Sequence, residues 1–349
     1  MSYTTINKSS SFQNTKLYTG NGSAGHAITG VGHQPDLVWI KNRSGTYWHN
    51  LTDSPRGVTK FLYSALDSAE GTGTSYLASF DTDGFTVNAD SDVNGSGNDI
   101  VGWTWKGGTT SGLSGGTITP SSYSFNTTSK FGIYKYTGNG SSGATVPHGL
   151  GAIPRLIIVK RLDTTGSWQV LGNGLGQSGA TSYGILNSKS GFTSNSDRWN
   201  NTNPTTSLFS LGNSTEVNAS GGTYIAYCFA EKKGYSKFGS YTGNGNADGP
   251  FIFTGFRPAW VMIKSSSSAE SWVIFDNKRE GYNPQNDFLR ADTSGVEANT
   301  TADIDLLSNG FKIRSAGSGH DNDSGQTYIY MAFAENPFVT SSGVPTTAR

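Results

Sequence analysis

Two pairs of carboxylates come closest, in residue type and spacing, to a catalytic site. Asp81 and Asp83 flank a threonine, Asp303 and Asp305 flank an isoleucine, and a Gly-Phe dipeptide follows each pair. Glycoside hydrolases use two such groups, one as acid and the other as base or nucleophile. The acid needs a neighbour that raises its pKa, and the sequence around both pairs indicates none. We therefore predict no catalytic residues and a protein that is not an enzyme, with a glycan hydrolase as the weakest alternative.

An acidic loop resembles the first half of a calcium-binding loop. Asp90, Asp92 and Asn94 alternate with other residues and precede a glycine, as in an EF-hand. The twelfth position, where an EF-hand has a bidentate glutamate, holds Val101. The pattern Asn-x-Ser-Gly recurs at residues 94–97, 218–221 and 322–325, and it is typical of a turn. Calcium binding by the loop stays open, but we predict no metal site and no cofactor.

The histidines and the single cysteine offer no further chemistry. Five histidines are scattered without metal-ligand spacing: His26, His33, His49, His148 and His320. Cys228 has no second cysteine to pair with and lies in an alternating apolar segment. We predict an inert core thiol in a protein that matures in a reducing cytoplasm.

The elements that position these residues occur three times along the chain. Each copy opens with Tyr-Thr-Gly-Asn-Gly, at residues 18–22, 136–140 and 241–245. A proline then heads an apolar run that ends in lysine, at residues 35–41, 154–160 and 258–264, and a tryptophan follows (Trp48, Trp168 and Trp272). An aromatic alternating segment closes each copy, at residues 100–105, 224–230 and 328–334. This spacing far exceeds that of solenoid repeats, so each copy has the size of a domain with its own core.

The pattern predicts an all-β fold of three tandem homologous antiparallel β-sandwich domains, jelly-roll-like in form. Helix formers are scarce, and no apolar periodicity of 3.6 residues persists. The third copy contains eight predicted strands, at residues 238–241, 250–254, 259–264, 272–276, 288–291, 305–307, 310–314 and 327–335. Seven residues should lie in equivalent strands of the copies: Leu37, Val38, Ile40, Leu156, Ile158, Trp260 and Met262. The Gly/Asn turns should form hairpins.

Composition shifts set the domain boundaries. We place repeat 1 at residues 1–108, repeat 2 at 130–234 and repeat 3 at 235–349. Between the first two lies a Gly/Ser/Thr-rich connector at residues 109–129. Its few large apolar residues cannot offset the entropy of ordering the segment, so we expect a flexible or extended linker.

Charge and hydropathy exclude several partners. Lys+Arg and Asp+Glu number 25 each, so nothing attracts nucleic acid, and no apolar run is long enough for membrane insertion. The N-terminus lacks the pattern of a signal peptide. Charged residues are 14% of the chain, against about 25% in average soluble proteins. Surface charge normally keeps proteins apart. We therefore expect a homo-oligomer, a trimer, with partner contacts through the termini or the connector.

As a set, the motifs resemble a domain of structural proteins from tailed bacteriophages, especially marine and cyanobacterial ones. The likeness rests on the Tyr-Thr-Gly-Asn-Gly turn and on residues 35–43, 226–231, 234–241 and 329–337, and it covers nearly the whole chain. It implies no activity and no functional residues.

The resemblance implies a virion structural protein exposed on the particle. A tail-fibre, receptor-binding or adhesion component is the leading expectation. A capsid decoration protein and a soluble glycan-binding module are the alternatives, the latter because Tyr and Trp suit glycan stacking. The expected partners are other virion proteins and a host-surface glycan or receptor. The expected location is the virion, after synthesis in the host cytoplasm.

Overall fold

The computed structural model describes residues 4–176, 179–317 and 320–337, and this part of the chain is almost entirely antiparallel β-sheet. The all-β prediction is confirmed. The helices within it are three single turns, α1 Ser91–Asn94, α2 Ser196–Trp199 and α3 Thr215–Asn218, and the 3-10 turns Ser9–Ser11 and Gly179–Thr181. None of these could span a membrane. Residues 1–3 and 338–349, the termini for which we predicted partner contacts, lie outside the described residues.

Repeat 1 forms two sheets. Its strands are β1 Gln13–Thr19, β2 His26–Thr29, β3 Leu37–Asn42, β4 Asn50–Asp53, β5 Lys60–Tyr63, β6 Gly71–Thr72, β7 Leu77–Asp81, β8 Gly84–Val87 and β9 Asp99–Trp105. The main sheet has the order β1-β9-β3-β4-β5-β6, and the second has the order β2-β8-β7.

Repeat 2 repeats this plan and recruits one strand from the segment before it. Its strands are β10 Ser122–Asn126, β11 Phe131–Thr137, β12 Ala144–Pro147, β13 Pro154–Arg161, β14 Gln169–Gly172, β15 Ser182–Ile185, β16 Thr193–Ser194, β17 Leu208–Leu211 and β18 Thr223–Ala230. The main sheet has the order β10-β11-β18-β13-β14-β15-β16, and β12 pairs with β17.

Repeat 3 joins both layers into one eight-stranded sheet. Its strands are β19 Ser236–Thr242, β20 Phe251–Phe253, β21 Pro258–Ser265, β22 Val273–Asp276, β23 Gln285–Arg290, β24 Ala298–Leu307, β25 Gly310–Ile313 and β26 Thr327–Ala334. The order is β19-β26-β21-β22-β23-β24-β25-β20. Each of the eight strands predicted for this repeat is present.

The pairing register makes the three repeats equivalent. Leu37, Leu156 and Trp260 begin the same ladder, in β3, β13 and β21. Each of these strands lies beside the closing strand of its repeat, and the predicted equivalent residues all lie in them. The tryptophan landmark needs one correction, because His49 and not Trp48 immediately precedes β4 and so matches Trp168 and Trp272. Trp48 is half-buried one residue earlier.

The opening turns are not hairpins as predicted, because the strands on either side of each turn (β1 and β2, β11 and β12, β19 and β20) do not pair with each other. In repeat 1 the hydroxyl of Tyr18 donates to the Val93 carbonyl, and the Asn94 side chain accepts from the backbone of Asn21. A Cβ on Gly20 would lie 2.1 Å from the Gly95 carbonyl oxygen, so only glycine fits. The equivalent bonds recur in repeats 2 and 3. The motif therefore anchors the first turn to the loop before the last strand.

The connector, for which we expected a flexible or extended linker, is paired with repeat 2. Its residues 122–126 form β10, which pairs with β11, and Thr109 forms a β-bridge with Phe125. Ile118 is buried against the core of repeat 2. Few apolar residues suffice here because backbone pairing supplies the rest of the contact.

Both faces of the closing strands are buried, against different cores. On β26, Tyr330 and Ala332 pack within repeat 3, while Met331 and Phe333 pack into a core that all three repeats share. Repeats 1 and 2 likewise have a core of their own. The shared core contains aromatic and aliphatic residues of every repeat, among them Trp39, Trp103, Trp105, Ile158, Tyr227, Phe229, Trp260, Met331 and Phe333. The expectation of separate cores was thus incomplete.

Candidate functional site

The most elaborate polar contacts of the molecule lie where two repeats meet. We call these contacts seams and name them by their repeats: seam 1–2, seam 1–3 and seam 2–3. In each seam, one repeat contributes its closing strand and the lysine of its proline-headed strand. The other repeat contributes two neighbouring strands. These are β4 and β5 in seam 1–2, β14 and β15 in seam 2–3, and β22 and β23 in seam 1–3. The three seams close a ring, so the chain has an approximate internal threefold arrangement.

A buried lysine crosses each seam. The Nζ of Lys160 donates to the Asp67 carbonyl at 3.3 Å in seam 1–2. The Nζ of Lys264 donates to the Lys189 carbonyl at 2.7 Å in seam 2–3. In seam 1–3, Lys41 donates in the same way to the carbonyl of Ser294 at 3.3 Å. All three lysines are fully buried, and burial lowers the pKa of each to about 8. Backbone carbonyls of both repeats therefore solvate the ammonium groups in place of water.

An indole nitrogen crosses seams 1–2 and 2–3 beside the lysine. Trp168 Nε1 donates to the Tyr63 carbonyl at 3.0 Å, and Trp272 Nε1 donates to the Ile185 carbonyl at 2.9 Å. In seam 1–3 the equivalent residue is His49, which accepts from Trp39. Burial lowers its pKa well below the usual value, only partly offset by the Arg290 carbonyl. His49 is therefore a neutral packing residue.

Seam 1–2 contains a buried ion-pair network. Arg56 Nε lies 2.6 Å from Asp53 Oδ2, and both side chains are fully buried. The Tyr227 hydroxyl of repeat 2 donates to the same carboxylate oxygen at 2.7 Å. Glu70 lies 3.4 Å from Arg56 Nη1. Every charge of the network thus has a partner, which a buried ion pair requires.

Seam 1–3 repeats this network with one donor exchanged. Arg279 Nε lies 2.7 Å from Asp276 Oδ2, again with both side chains fully buried. Trp103 Nε1 of repeat 1 donates to that oxygen at 3.0 Å. Glu297 accepts from Arg279 at 2.8 Å and also accepts three bonds from Arg43 of repeat 1. The indole N–H here donates the hydrogen bond that the phenol hydroxyl donates in seam 1–2.

Seam 2–3 has the same geometry but apolar side chains. The sheet register places Gly172 where the other seams have aspartate, and Leu175 stands three residues later in place of arginine. Phe192 takes the position of the glutamate of the other seams, because its backbone N–H makes the equivalent hydrogen bond. Met331 takes the position of the ring donor on the closing strand. The four polar positions have therefore changed together, and no charge is left unpaired.

The acids of the first carboxylate pair, for which we predicted no catalytic role, are held in local structural contacts. Asp81 accepts from Ser79 and Thr86 in the β7–β8 hairpin. Asp83 accepts from the backbone of Gly30 and Gly32, and its bond from Gly32 is the main cause of its lowered pKa. A lowered pKa is the opposite of what a general acid needs.

The acidic loop does not converge on one point. Asp90 caps α1 by accepting from the Asp92 backbone. Asp92 instead accepts from the Trp48 backbone, and burial together with the charge of Asp90 raises its pKa. Asn94 is buried and bonds Asn21. The side chains of this loop are thus used to fix the loop itself.

Most histidines and the cysteine are also structural. Burial lowers the pKa of His33 and His148 to about 4. The Nδ1 of His26 lies 2.9 Å from the Asn94 side chain. Cys228 is buried, and burial raises its pKa well above the usual value, as expected for an inert thiol.

One cluster brings together residues that the sequence left apart. Asp303, His320 and Asp321 place ligand atoms within 4.8 Å of one another, and no other such group of three occurs among the described residues. Its oxygen and nitrogen donors could hold a divalent cation. Asp321 takes the place of buried valines in repeats 1 and 2. Burial opposes protonation of His320, but the hydrogen bond to Asp303 and the charges of Asp321 and Asp303 outweigh it and raise the pKa.

The contact between His320 and Asp303 is itself an ion pair, so it needs no cation. His320 Nε2 lies 3.4 Å from Asp303, and its ring packs on Phe288 with centroids 4.6 Å apart. Asp305, the second acid of the predicted pair, lies 3.7 Å from Arg314 instead. Asp303 and Asp305 therefore have different partners.

A family model matches residues 8–337 and describes a domain of unknown function, DUF7483. The chain belongs to the DUF7483 family. No curated protein and no solved structure matches it. One DUF7483 domain therefore includes all three repeats and the connector, in agreement with the core that the repeats share.

Two open clefts lie on the surface of the DUF7483 domain. A cleft of about 490 Å³ between repeats 1 and 3 is lined by polar residues, among them Gln13, Lys16, Lys278 and Glu335. A larger one of about 950 Å³ lies between repeat 1 and the connector. Both clefts are lined largely by polar groups, which suits a polar ligand.

Proposed function

We propose that this DUF7483 protein is a non-catalytic structural protein exposed on a phage particle, as a tail-fibre, receptor-binding or adhesion component. The observation that carries the proposal is the shared core, which fixes three repeats into one body. The carboxylates, histidines and cysteine described above are engaged in packing, caps and ion pairs. This design suits a rigid spacer or platform better than a catalyst, which needs free groups with matched pKa values.

We further infer that each repeat is a jelly-roll-like β-sandwich. The separate core of each repeat, between its main sheet and its second layer, supports this. The predicted homotrimer stays part of the proposal, with one qualification. A single copy already has an approximate threefold arrangement, so one copy could also match a threefold axis of a particle.

Adhesion through aromatic stacking receives less support than attachment through protein contacts. Seven of the eight tryptophans are buried, and Trp48 is half-buried. Among the described residues, the exposed aromatic ones are instead Phe251, Phe253 and Tyr282. Glycan-binding sites generally present exposed Tyr and Trp. We therefore rank a soluble glycan-binding module below a virion protein.

Labelling of purified particles tests the proposal. Antibodies raised against the chain should decorate particles of the phage that encodes it, and gold labels should show whether tail or capsid holds it. Saturable binding of the purified protein to host cells would indicate adhesion, and binding to particles that lack the protein would indicate decoration. Absence of the protein from purified particles would refute the proposal. So would release of reducing sugar from host polysaccharide that is lost in both Asp81→Asn and Asp83→Asn.

A further inference from the structure

The outer edge of β20 is open and apolar. This strand ends the sheet of repeat 3, and among the described strands it pairs only with β25. Phe251 and Phe253 are 47% and 63% exposed. Natural edge strands are usually protected from pairing by charged residues, bulges or a covering segment. The described residues of β20 include no charge, so this edge lacks the usual protection.

The equivalent edge in repeat 2 is covered by the chain itself. Thr145 of β12 directly precedes the residue that pairs with Phe209, and Phe251 directly precedes the residue that pairs with Phe311. Thr145 and Phe251 are therefore equivalent. The Ile118 N–H donates to the Thr145 carbonyl at 2.9 Å. Thr145 N–H donates to the Thr117 hydroxyl at 2.7 Å. The connector therefore satisfies both backbone groups that Thr145 directs outward.

Close approach and apolar burial complete this contact. A Cβ on Gly116 would lie 2.6 Å from the Thr145 carbonyl oxygen, so glycine lets the connector lie against the edge. Ile118 is only 5% exposed, within the core of repeat 2. An extended Gly-Thr-Ile segment is thus sufficient to cover an edge of this type.

The equivalent edge of repeat 1 differs from both. Its equivalent residues are Ala27 and Thr29, both exposed, so the edge is open but offers little apolar surface. Only repeat 3 combines an open edge with two large exposed apolar side chains. The difference is confined to the edge, because Ile28, Val146 and Ile252 all remain buried beneath it.

We propose that the β20 edge of repeat 3 binds an extended segment of a partner polypeptide by strand addition. The segment would resemble Gly116-Thr117-Ile118, with small and hydroxylated residues around one apolar side chain. The partner would donate to and accept from the backbone of Phe251, and it would cover both phenylalanines. Symmetric pairing of β20 with β20 of a second copy would join only three residues on each side, which is too short for a specific interface of about 1,000 Å². The proposal does not depend on where the protein is located.

A peptide with the sequence of residues 113–120 is a direct probe. Labelled with a fluorophore, it should bind the full chain saturably in an anisotropy titration, and it should slow hydrogen exchange at the Phe251 and Phe253 amides. The double variant Phe251→Lys, Phe253→Lys should bind about tenfold more weakly or worse. The matched control is Tyr282→Lys, which changes an aromatic residue of the same repeat that is 66% exposed and should bind as the wild type does.

The outcomes separate the occupants. Loss of binding only in the double lysine variant, with unchanged circular dichroism, would support the proposal. Absence of saturable binding, or binding equal in all variants, would overturn it. Self-association of the wild type that the lysines abolish, without peptide binding, would assign the edge to a second copy and would also overturn it.

Discussion

Seams 1–2 and 1–3 hold a carboxylate, an arginine, a second carboxylate and a ring donor where seam 2–3 holds glycine, leucine, phenylalanine and methionine. The backbone contacts and the crossing lysine are the same in all three. A buried ion pair and an apolar contact of similar volume are often close in free energy, whereas half an ion pair is costly. The comparison shows that the residue types at these four positions differ together between seams. Either the complete polar set or the complete apolar set allows the repeats to pack.

The largest effect should come from breaking a polar set. Asp276→Ala leaves the buried Arg279 without its main partner and should lower the free energy of unfolding by about 3–5 kcal/mol. Urea denaturation monitored by tryptophan fluorescence gives the value. The matched control is Gly172→Ala, since a Cβ there would meet Leu175 at 3.5 Å, an ordinary contact. Equal losses in both variants would contradict the importance we assign to the ion pair.

A complete exchange should restore much of what a single change removes. Arg56→Leu alone leaves Asp53 buried and unpaired and should cost about 3–5 kcal/mol. The fourfold variant Asp53→Gly, Arg56→Leu, Glu70→Phe, Tyr227→Met copies seam 2–3 into seam 1–2. We expect it to unfold within about 2 kcal/mol of the wild type. If it is less stable than Arg56→Leu, the four positions do not form a unit.

The lysines predict a pH dependence that all seams share. Their folded pKa of about 8 lies below the unfolded value, so between about pH 8 and 10 the unfolded state binds more protons and stability should rise with pH. Above about pH 10 the slope should reverse, because buried tyrosines such as Tyr136 have a raised pKa and stay protonated.

Urea midpoints measured from pH 7 to 11 test this profile, and Lys160→Met should reduce the rise. A midpoint that stays constant or falls between pH 8 and 10 would show that the carbonyls offset the burial of the ammonium groups.

The smallest effect should come from the exposed margin of a polar seam. Lys60 lies 3.6 Å from Glu70, and its side chain is 36% exposed. Lys60→Ala should therefore change the free energy of unfolding by less than about 0.5 kcal/mol in the same urea assay, with Arg56→Leu as the reference. A loss above about 1 kcal/mol would place Lys60 inside the network.

The sequence was sufficient for the local architecture because alternation and turn residues act locally. All eight strands of repeat 3 and the equivalence of β3, β13 and β21 followed from it. The connector was missed because its order depends on backbone pairing with β11 and on two apolar residues, Ile118 and Phe125. Composition alone does not record such pairing.

The candidate site was less predictable because its members are remote in sequence. Asp53 and Tyr227 meet across two repeats. A signal did exist, since Asp-x-x-Arg occurs at the same place in repeats 1 and 3, where repeat 2 has Gly-x-x-Leu. Alignment of the repeats on His49 in place of Trp48 would have exposed it. Likewise, Asp303 and His320 are 17 residues apart, and only the fold shows that they meet.

The central claim is that three repeats share one core and act as one body, and scanning calorimetry of the full chain tests it most directly. If the core is shared, unfolding should occur in one transition with a calorimetric enthalpy close to the van't Hoff enthalpy. Three resolvable transitions, or a calorimetric enthalpy about three times the van't Hoff value, would show that the repeats unfold independently and would contradict the account.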